Sequence, residues 1–385
     1  MSLAILALTA PMLSVAAAHM PSSDDAIIEQ VPAPGLLREV LPLRQALARN
    51  PYDPVAAGRL ARAYLDAGRR AGDPRFISYA QAVLAPWLTR PDVTTELRVL
   101  AAIALQSLHH FHSALTLLEQ ALSQDPADPQ ALLTKATILQ VNGDFAAARR
   151  TCAQLLARAG QLVTIGCVAS VDAMTGRLPA SYSTLRQVFQ DDPRLPAALR
   201  SWMWGQLGEM AVRLGNDADA EAHFRAGLAA DGEDLYLVGE YADLLLRQGR
   251  AREAVTLLQP HQAQDALLLR LAIAGKALAM KEGVTWAEAF EARAAAANRE
   301  RDTTHLREEA RFMLDVRGKP TQALALAERN FILQREPSDV RLYVRAAEAA
   351  QDARAAAVIA GWIGSRGYQD ALLPGKQNRE PATSL

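Results

Sequence analysis

The chain has 385 residues, of which 50% are apolar and 22% are charged, a balance that excludes bulk disorder. Its 41 Lys and Arg residues nearly cancel its 42 Asp and Glu residues, so no basic excess favours nucleic acid as a partner. Because a single core rarely grows beyond about 250–300 residues, the length predicts two domains or one elongated array.

The N-terminus carries an apolar run from Leu3 to Ala18 that ends in small residues suited to signal-peptidase cleavage. We expect a signal peptide over residues 1–18 and a mature chain that begins near His19, in the periplasm or secreted. The run lacks the basic residues of a usual signal peptide, and an uncleaved N-terminal helix is the alternative. Because the run is short for a membrane span, we expect membrane contact only through a partner.

The rest of the chain consists of helix-like segments without the sustained alternation of strands. A leader and an N-terminal helix are expected over residues 19–50. Irregular spacing near residues 193–200 predicts a boundary between one helical array over residues 51–193 and a second over residues 194–365. Residues 366–385 have a polar composition and are expected to form a flexible tail.

The strongest pattern is an internal repeat with a period of 34 residues. Two consecutive segments that start at Thr95 and Pro129 align at this offset, and a second aligned pair starts at Ser201 and Leu235. A weaker copy is expected to turn at 282–283. The same small residue recurs in the four best copies, at Ala114, Ala148, Ala220 and Ala254.

These segments resemble the tetratricopeptide repeat family, most closely in the copy that starts at Ser201. Gly208 and Ala220 are small where two helices must cross closely, and Gly215 stands in the turn between them, where a positive φ costs glycine little. His109 takes the same turn position in the first copy. The resemblance implies an all-α, right-handed solenoid of about eight antiparallel helix pairs, each with a helix A and a helix B.

Members of this family hold protein or peptide partners on a concave face that helix A lines. The resemblance therefore implies a non-catalytic scaffold, which we expect to act in the cell envelope in the assembly or secretion of a partner protein. A cytoplasmic regulatory module and an α/α-toroid enzyme are the alternatives. The toroid requires aromatic residues and carboxylates crowded on one rim, whereas only 5% of the residues are aromatic.

Counting from the motif predicts which side chains point into the concave groove. Trp202 and Tyr236 are the candidate anchors, because half-exposed aromatic residues dominate binding energy; the alternative is that both pack between neighbouring helices. The predicted groove residues are Gln106, Thr137, Gln140, Trp202, Glu209, Arg213, Tyr236, Asp243 and Arg247.

The sequence contains no phosphate-binding glycine loop, no GxSxG, no HExxH and no CxxC, so we predict no catalytic residue, cofactor or small-molecule substrate. His109, His110 and His112 form a cluster without a nearby fourth ligand, and no metal site is predicted. Cys152 and Cys167 belong to successive helices. The favoured interpretation is two buried free cysteines, and a disulfide is the alternative in an exported protein.

Overall fold

The structure, a computed structural model, describes residues 35–299 and 305–374. The predicted signal peptide and the leader as far as residue 34 lie outside this part. The described residues contain no strand, and none of their helices is both long and apolar enough to cross a membrane. The helices are α1 (Gly35–Arg49), α2 (Pro54–Ala71), α3 (Pro74–Leu88), α4 (Thr95–Ser107), α5 (Phe111–Gln124), α6 (Pro129–Val141), α7 (Phe145–Gln154), α8 (Gly160–Ala173), α9 (Leu178–Val188), α10 (Ala197–Arg213), α11 (Asp217–Ala230), α12 (Leu235–Arg247), α13 (Ala251–Leu258), α14 (Asp265–Ala277), α15 (Lys281–Arg299), α16 (Leu306–Arg311), α17 (Pro320–Leu333), α18 (Pro337–Ala349) and α19 (Ala353–Arg366).

Helices α2 to α19 form nine consecutive pairs, one more than the sequence predicts. In each pair the even-numbered helix is helix A and the odd-numbered helix is helix B. Every helix A contacts the helix A of the next pair, from α2 through to α18, whereas the B helices pack on the outside. The A helices therefore form an inner layer, and the predicted all-α solenoid of helix pairs is confirmed.

The turns between helix A and helix B use the left-handed backbone region, as the sequence predicts. Gly215 has a φ of 78°, and His109 takes the same position with a φ of 57°. The predicted turn at 282–283 is wrong. Gly283 lies inside α15. A Cβ on Gly275 would stand 2.5 Å from the Cα of Gly283, so Gly283 permits close helix packing. The turn itself contains Ala279, with a φ of 51°.

Cys152 in α7 and Cys167 in α8 form a disulfide, so the favoured interpretation as free cysteines is wrong. Helix B of one pair packs directly on helix A of the next. This packing brings the two Cα atoms to 5.5 Å, within the range that a disulfide needs.

The solenoid curls back on itself through the turns of its N-terminal half. At five successive pairs the left-handed turn residue lies against a residue of the C-terminal half, and we call these the closing contacts. They join Gly72 to Gln264, His109 to Gln334, Gly143 to Arg335, Gly176 to Gly367, and Gly215 to Ala371. The inner layer consequently curves around a partly open interior space.

The segment after α19 takes part in this closure. The sequence predicts a flexible tail over residues 366–385, and this is wrong for residues 367–374. Tyr368 is 1% exposed, and the N–H of Ala371 donates to the carbonyl oxygen of Arg213 at 2.7 Å. The segment is ordered because it covers apolar surface and satisfies main-chain groups at the end of α10. Residues 375–385 lie outside the described part.

The largest core cluster continues across the predicted boundary at residue 193. It packs Tyr182 and Leu185 of α9 together with Met203 and Leu207 of α10. The division of the chain into two arrays stays a prediction, although the apolar core does not stop there.

Candidate functional site

The inner layer encloses a cavity of about 910 Å³, a size typical of ligand pockets. Helices α12, α14, α16 and α18 supply most of its wall, and residues 372–374 close one side. Each helix contributes side chains spaced three or four residues apart, which lie on one helical face. The cavity therefore lies on the concave side of the solenoid, which the A helices line.

Arginines from four of the A helices face this cavity, and each has an acidic partner. Asp243 accepts from Arg270 at 2.7 Å and from Arg311 at 2.6 Å. Burial raises the pKa of the Asp243 carboxyl, but these two guanidinium groups outweigh it and hold the pKa well below its usual range. The other pairs are Arg247 with Asp217, Arg307 with Asp339 and Glu336, Arg341 with Asp370, and Arg345 with Asp315.

Glu240 differs from these acids. It lines the cavity from α12 and is half-buried, yet it forms no hydrogen bond or ion pair with any residue that the structure describes. Burial and the neighbouring Asp243 raise the pKa of its carboxyl, while Arg270 lowers it. Glu240 thus places inside the cavity a carboxylate that neighbouring arginines influence but that has no direct partner among the described residues.

Tyr236 lies one turn before Glu240 on the same helix. Its side chain is 59% exposed although it lines the cavity, because it projects into the interior space and packs on little. The Glu240 carboxylate, more than burial, raises the pKa of Tyr236 well above its usual value. An accessible aromatic ring and an unpaired carboxylate therefore stand next to each other, an arrangement that suits a ligand with a cationic group.

Three of the nine predicted groove residues line the cavity, namely Tyr236, Asp243 and Arg247. Gln106, Thr137 and Gln140 lie on α4 and α6 outside it, where the Gln140 amide hydrogen-bonds to Ser170 at 2.9 Å. A binding role stays a prediction both for the three residues that line the cavity and for the three on α4 and α6.

The three predicted groove residues on α10 take part in internal contacts. Trp202 is half-buried and packs against two core clusters. Arg213 is 2% exposed and donates to the carbonyl oxygen of Ala173 at 2.6 Å and to Glu209 at 3.1 Å. Arg213 is therefore a structural contact beneath the C-terminal segment, and it does not face open space as the sequence predicts.

Sequence reasoning missed most of the cavity wall. The motif count covered the four clearest copies, whereas Arg270, Arg311 and Arg341 belong to degenerate repeats. Glu240 offered a signal, because it follows Tyr236 by four residues and shares its helical face.

The histidine cluster takes no part in this site. His109 lies in a turn with its Nδ1 3.3 Å from the Gln334 amide nitrogen, and His112 is exposed. Within residues 35–299 and 305–374 there is no group of three His, Cys, Asp or Glu residues placed to hold a metal ion.

A family model and a solved structure with a TM-score of 0.50 agree with this architecture. A model of the Tetratricopeptide repeat family matches residues 106–162, and a sequence comparison with curated proteins finds no match. The human IFIT1 dimer is 15% identical, with a TM-score of 0.50 over 86% of this chain and 77% of that one. A thermophilic tetratricopeptide protein of Thermus thermophilus is 24% identical, with a TM-score of 0.41 over 49% of this chain and 100% of that one. With its 34-residue period and the nine helix pairs of its described residues, this chain has the fold of a tetratricopeptide repeat protein.

Proposed function

We propose that this protein is a non-catalytic scaffold that binds a peptide segment of a partner protein inside the cavity. The observation that carries the proposal is the exposed Tyr236 ring, which lines a space of about 910 Å³ enclosed by A helices. A large cavity whose wall combines apolar side chains with an aromatic ring and charged groups suits a short extended segment. The tetratricopeptide fold suggests protein partners in general.

We further propose that the scaffold works in the cell envelope, in the assembly or secretion of its partner. The Cys152–Cys167 disulfide supports this compartment, since such bonds persist in oxidising environments. The apolar run from Leu3 to Ala18 supports it independently. Recovery of native protein that begins near His19 is the expected result, and intact Met1 on that protein would reject export.

Nucleic acid is the ligand that the IFIT1 comparison suggests, because that human protein was solved with PPP-AAAA. In this chain every arginine of the cavity already has an acidic partner. A phosphate chain would have to separate these pairs and would meet Glu240, so we favour a peptide.

The test places a photo-crosslinking amino acid at Tyr236, and at Val358 as a matched control. Val358 is 52% exposed on the outer helix α19. We expect the Tyr236 position to capture a discrete partner in intact cells and the Val358 position not to do so. Equal capture from both positions, or none from Tyr236, would reject the cavity as the binding site.

Alanine substitutions provide a second readout. Tyr236→Ala should weaken partner binding by about 1–3 kcal/mol with little change in melting, because the ring packs on little. Trp202→Ala should lower the stability by about 3 kcal/mol, since its ring fills space between two core clusters. Thermal melting and binding titration of both variants separate the two roles.

A further inference from the structure

We propose that the cavity selects peptide segments bearing Lys or Arg, and that Glu240 and Tyr236 together hold the cationic head of that side chain. This inference rests on the proposed peptide-binding function and specifies the chemistry of its ligand. An arginine-rich wall would by itself attract an anion, but the arginines of this cavity are already paired with acids.

Most of the charges inside the cavity are already paired. All six of its arginines are paired with acids. Lys276 donates to the carbonyl oxygens of Asp315 and Val316 at 2.8 and 2.7 Å, at the end of a helical turn where a cation is favoured. Among the described residues of the wall, two acids without an ion pair, Glu240 and Glu308, stand against one cation without an acidic partner, Lys276, so the unpaired charge is negative on balance.

Tyr236 stands beside the unpaired carboxylate of Glu240. It precedes Glu240 by one helical turn, so the ring and the carboxylate face the same space. A cation above the ring gains from the π face, and the carboxylate beside it supplies an ion pair and a hydrogen bond. Both groups are free to make these contacts, because the ring is 59% exposed and the carboxylate has no partner among the described residues.

The size of the cavity and the apolar part of its wall indicate that the cation belongs to a peptide. Apolar side chains continue the wall beyond the charged pair, at Ile273, Leu342 and Val344. They match the methylene stem of a long basic side chain and the apolar residues that flank it. A small free amine would fill only a fraction of the space of about 910 Å³.

Acidic and basic side chains face Glu240, and they influence how its affinity for a cation changes with pH. They are Tyr236 and Asp243 on its own helix, Arg270 on α14, Arg311 on α16, Arg341 on α18 and Glu209 on α10. Burial, the largest influence, raises the pKa of the Glu240 carboxyl. Affinity for a cation should therefore fall on acidification at a higher pH than an ordinary glutamate would give.

The experiment measures binding to the full chain by calorimetry. The probe is a capped nonapeptide of Gly and Ser with a central Lys flanked by two Leu residues, and its control carries norleucine in place of Lys. We expect the Lys peptide to bind at least about tenfold more tightly, the effect of one compensated charge. Glu240→Gln should abolish this preference, Tyr236→Leu should reduce it, and Glu233→Gln, at an exposed site outside the cavity, should preserve it. Circular dichroism confirms that each variant is folded.

The outcomes are distinguishable. Equal binding of the two peptides, or an unchanged preference in folded Glu240→Gln, overturns the cationic selectivity while peptide binding in the cavity stands. Spermidine that binds as tightly as the Lys peptide overturns the assignment to a peptide. If neither peptide binds and the Tyr236 position captures no partner, the proposed function itself fails.

Discussion

The guanidinium carbon of Arg213 lies 4.5 Å from the ring centroid of Tyr368, where α10 meets the C-terminal segment. The same guanidinium donates to the carbonyl oxygens of Ala173 and Gln369, at 2.6 and 3.2 Å. One buried cation thus connects two A helices to the end of the described chain.

Replacement of Arg213 by Met should therefore destabilise the whole fold. It leaves two buried carbonyl oxygens and Glu209 without their donor, at a cost of about 3 kcal/mol. Urea denaturation followed by circular dichroism measures this loss. Arg329→Met is the matched control, because Arg329 is exposed and should change the free energy of unfolding by less than about 0.5 kcal/mol. Equal effects of the two substitutions would contradict the structural role of Arg213.

The disulfide should contribute measurably to stability. It spans 15 positions between Cys152 and Cys167, and a loop of that size corresponds to about 3 kcal/mol. The double variant Cys152→Ala/Cys167→Ala should lose this amount in urea denaturation. Dithiothreitol should shift the wild-type midpoint and leave the variant unchanged. Two free thiols in denatured, unreduced native protein would contradict the bond.

Two glycines inside helices should respond in opposite directions to alanine. At Gly208 a Cβ would meet the ring of Phe224, so Gly208→Ala should cost about 2 kcal/mol through overpacking. At Gly361 no described atom lies within 4 Å of such a Cβ, and Gly361→Ala should raise stability by about 0.5–1 kcal/mol. Thermal melting of both variants checks the sign. Destabilisation by both would contradict the open space beside Gly361.

The stability of the closed solenoid should depend on pH through His109. Burial and Arg307 lower the pKa of His109 in the folded state, so below about pH 6.5 the unfolded chain binds more protons and stability decreases. His109→Asn should flatten this decrease, because Asn tolerates the positive φ and does not titrate. Burial also lowers the pKa of His223, and adding His223→Gln should flatten it further. An unchanged slope in both variants, measured by denaturation between about pH 7 and 5, would remove His109 from the explanation.

The fold could be predicted from the sequence because it depends on local rules that repeat. Each copy needs a small residue at the position of Gly208 and a left-handed turn residue at the position of Gly215. Both positions therefore recur with the 34-residue period and can be found from it. Gly283 shows the limit of these rules. Without its neighbours, a glycine that permits helix packing looks the same as one that forms a turn.

The candidate site was less accessible to sequence reasoning. Tyr236 was predicted from the register of α12, but the register cannot say which groove residues other parts of the chain cover. Arg213 is covered by a segment that lies 156 positions away. The pairing of Arg311 with Asp243, which leaves Glu240 as an unpaired acid, likewise depends on contacts across 68 positions. Such distances depend on the curvature of the solenoid, which no single repeat encodes.

The closing contacts have a mechanical consequence. An open solenoid behaves as a spring: its end repeats fray first, and it lengthens gradually under load. Here the turns at Gly72, Gly143 and Gly215 are held by residues of the opposite half, so the end repeats of the described chain support the middle ones. Pulling the ends apart should therefore give an abrupt rupture of the closed form at a threshold force, followed by the soft extension of an ordinary helical array.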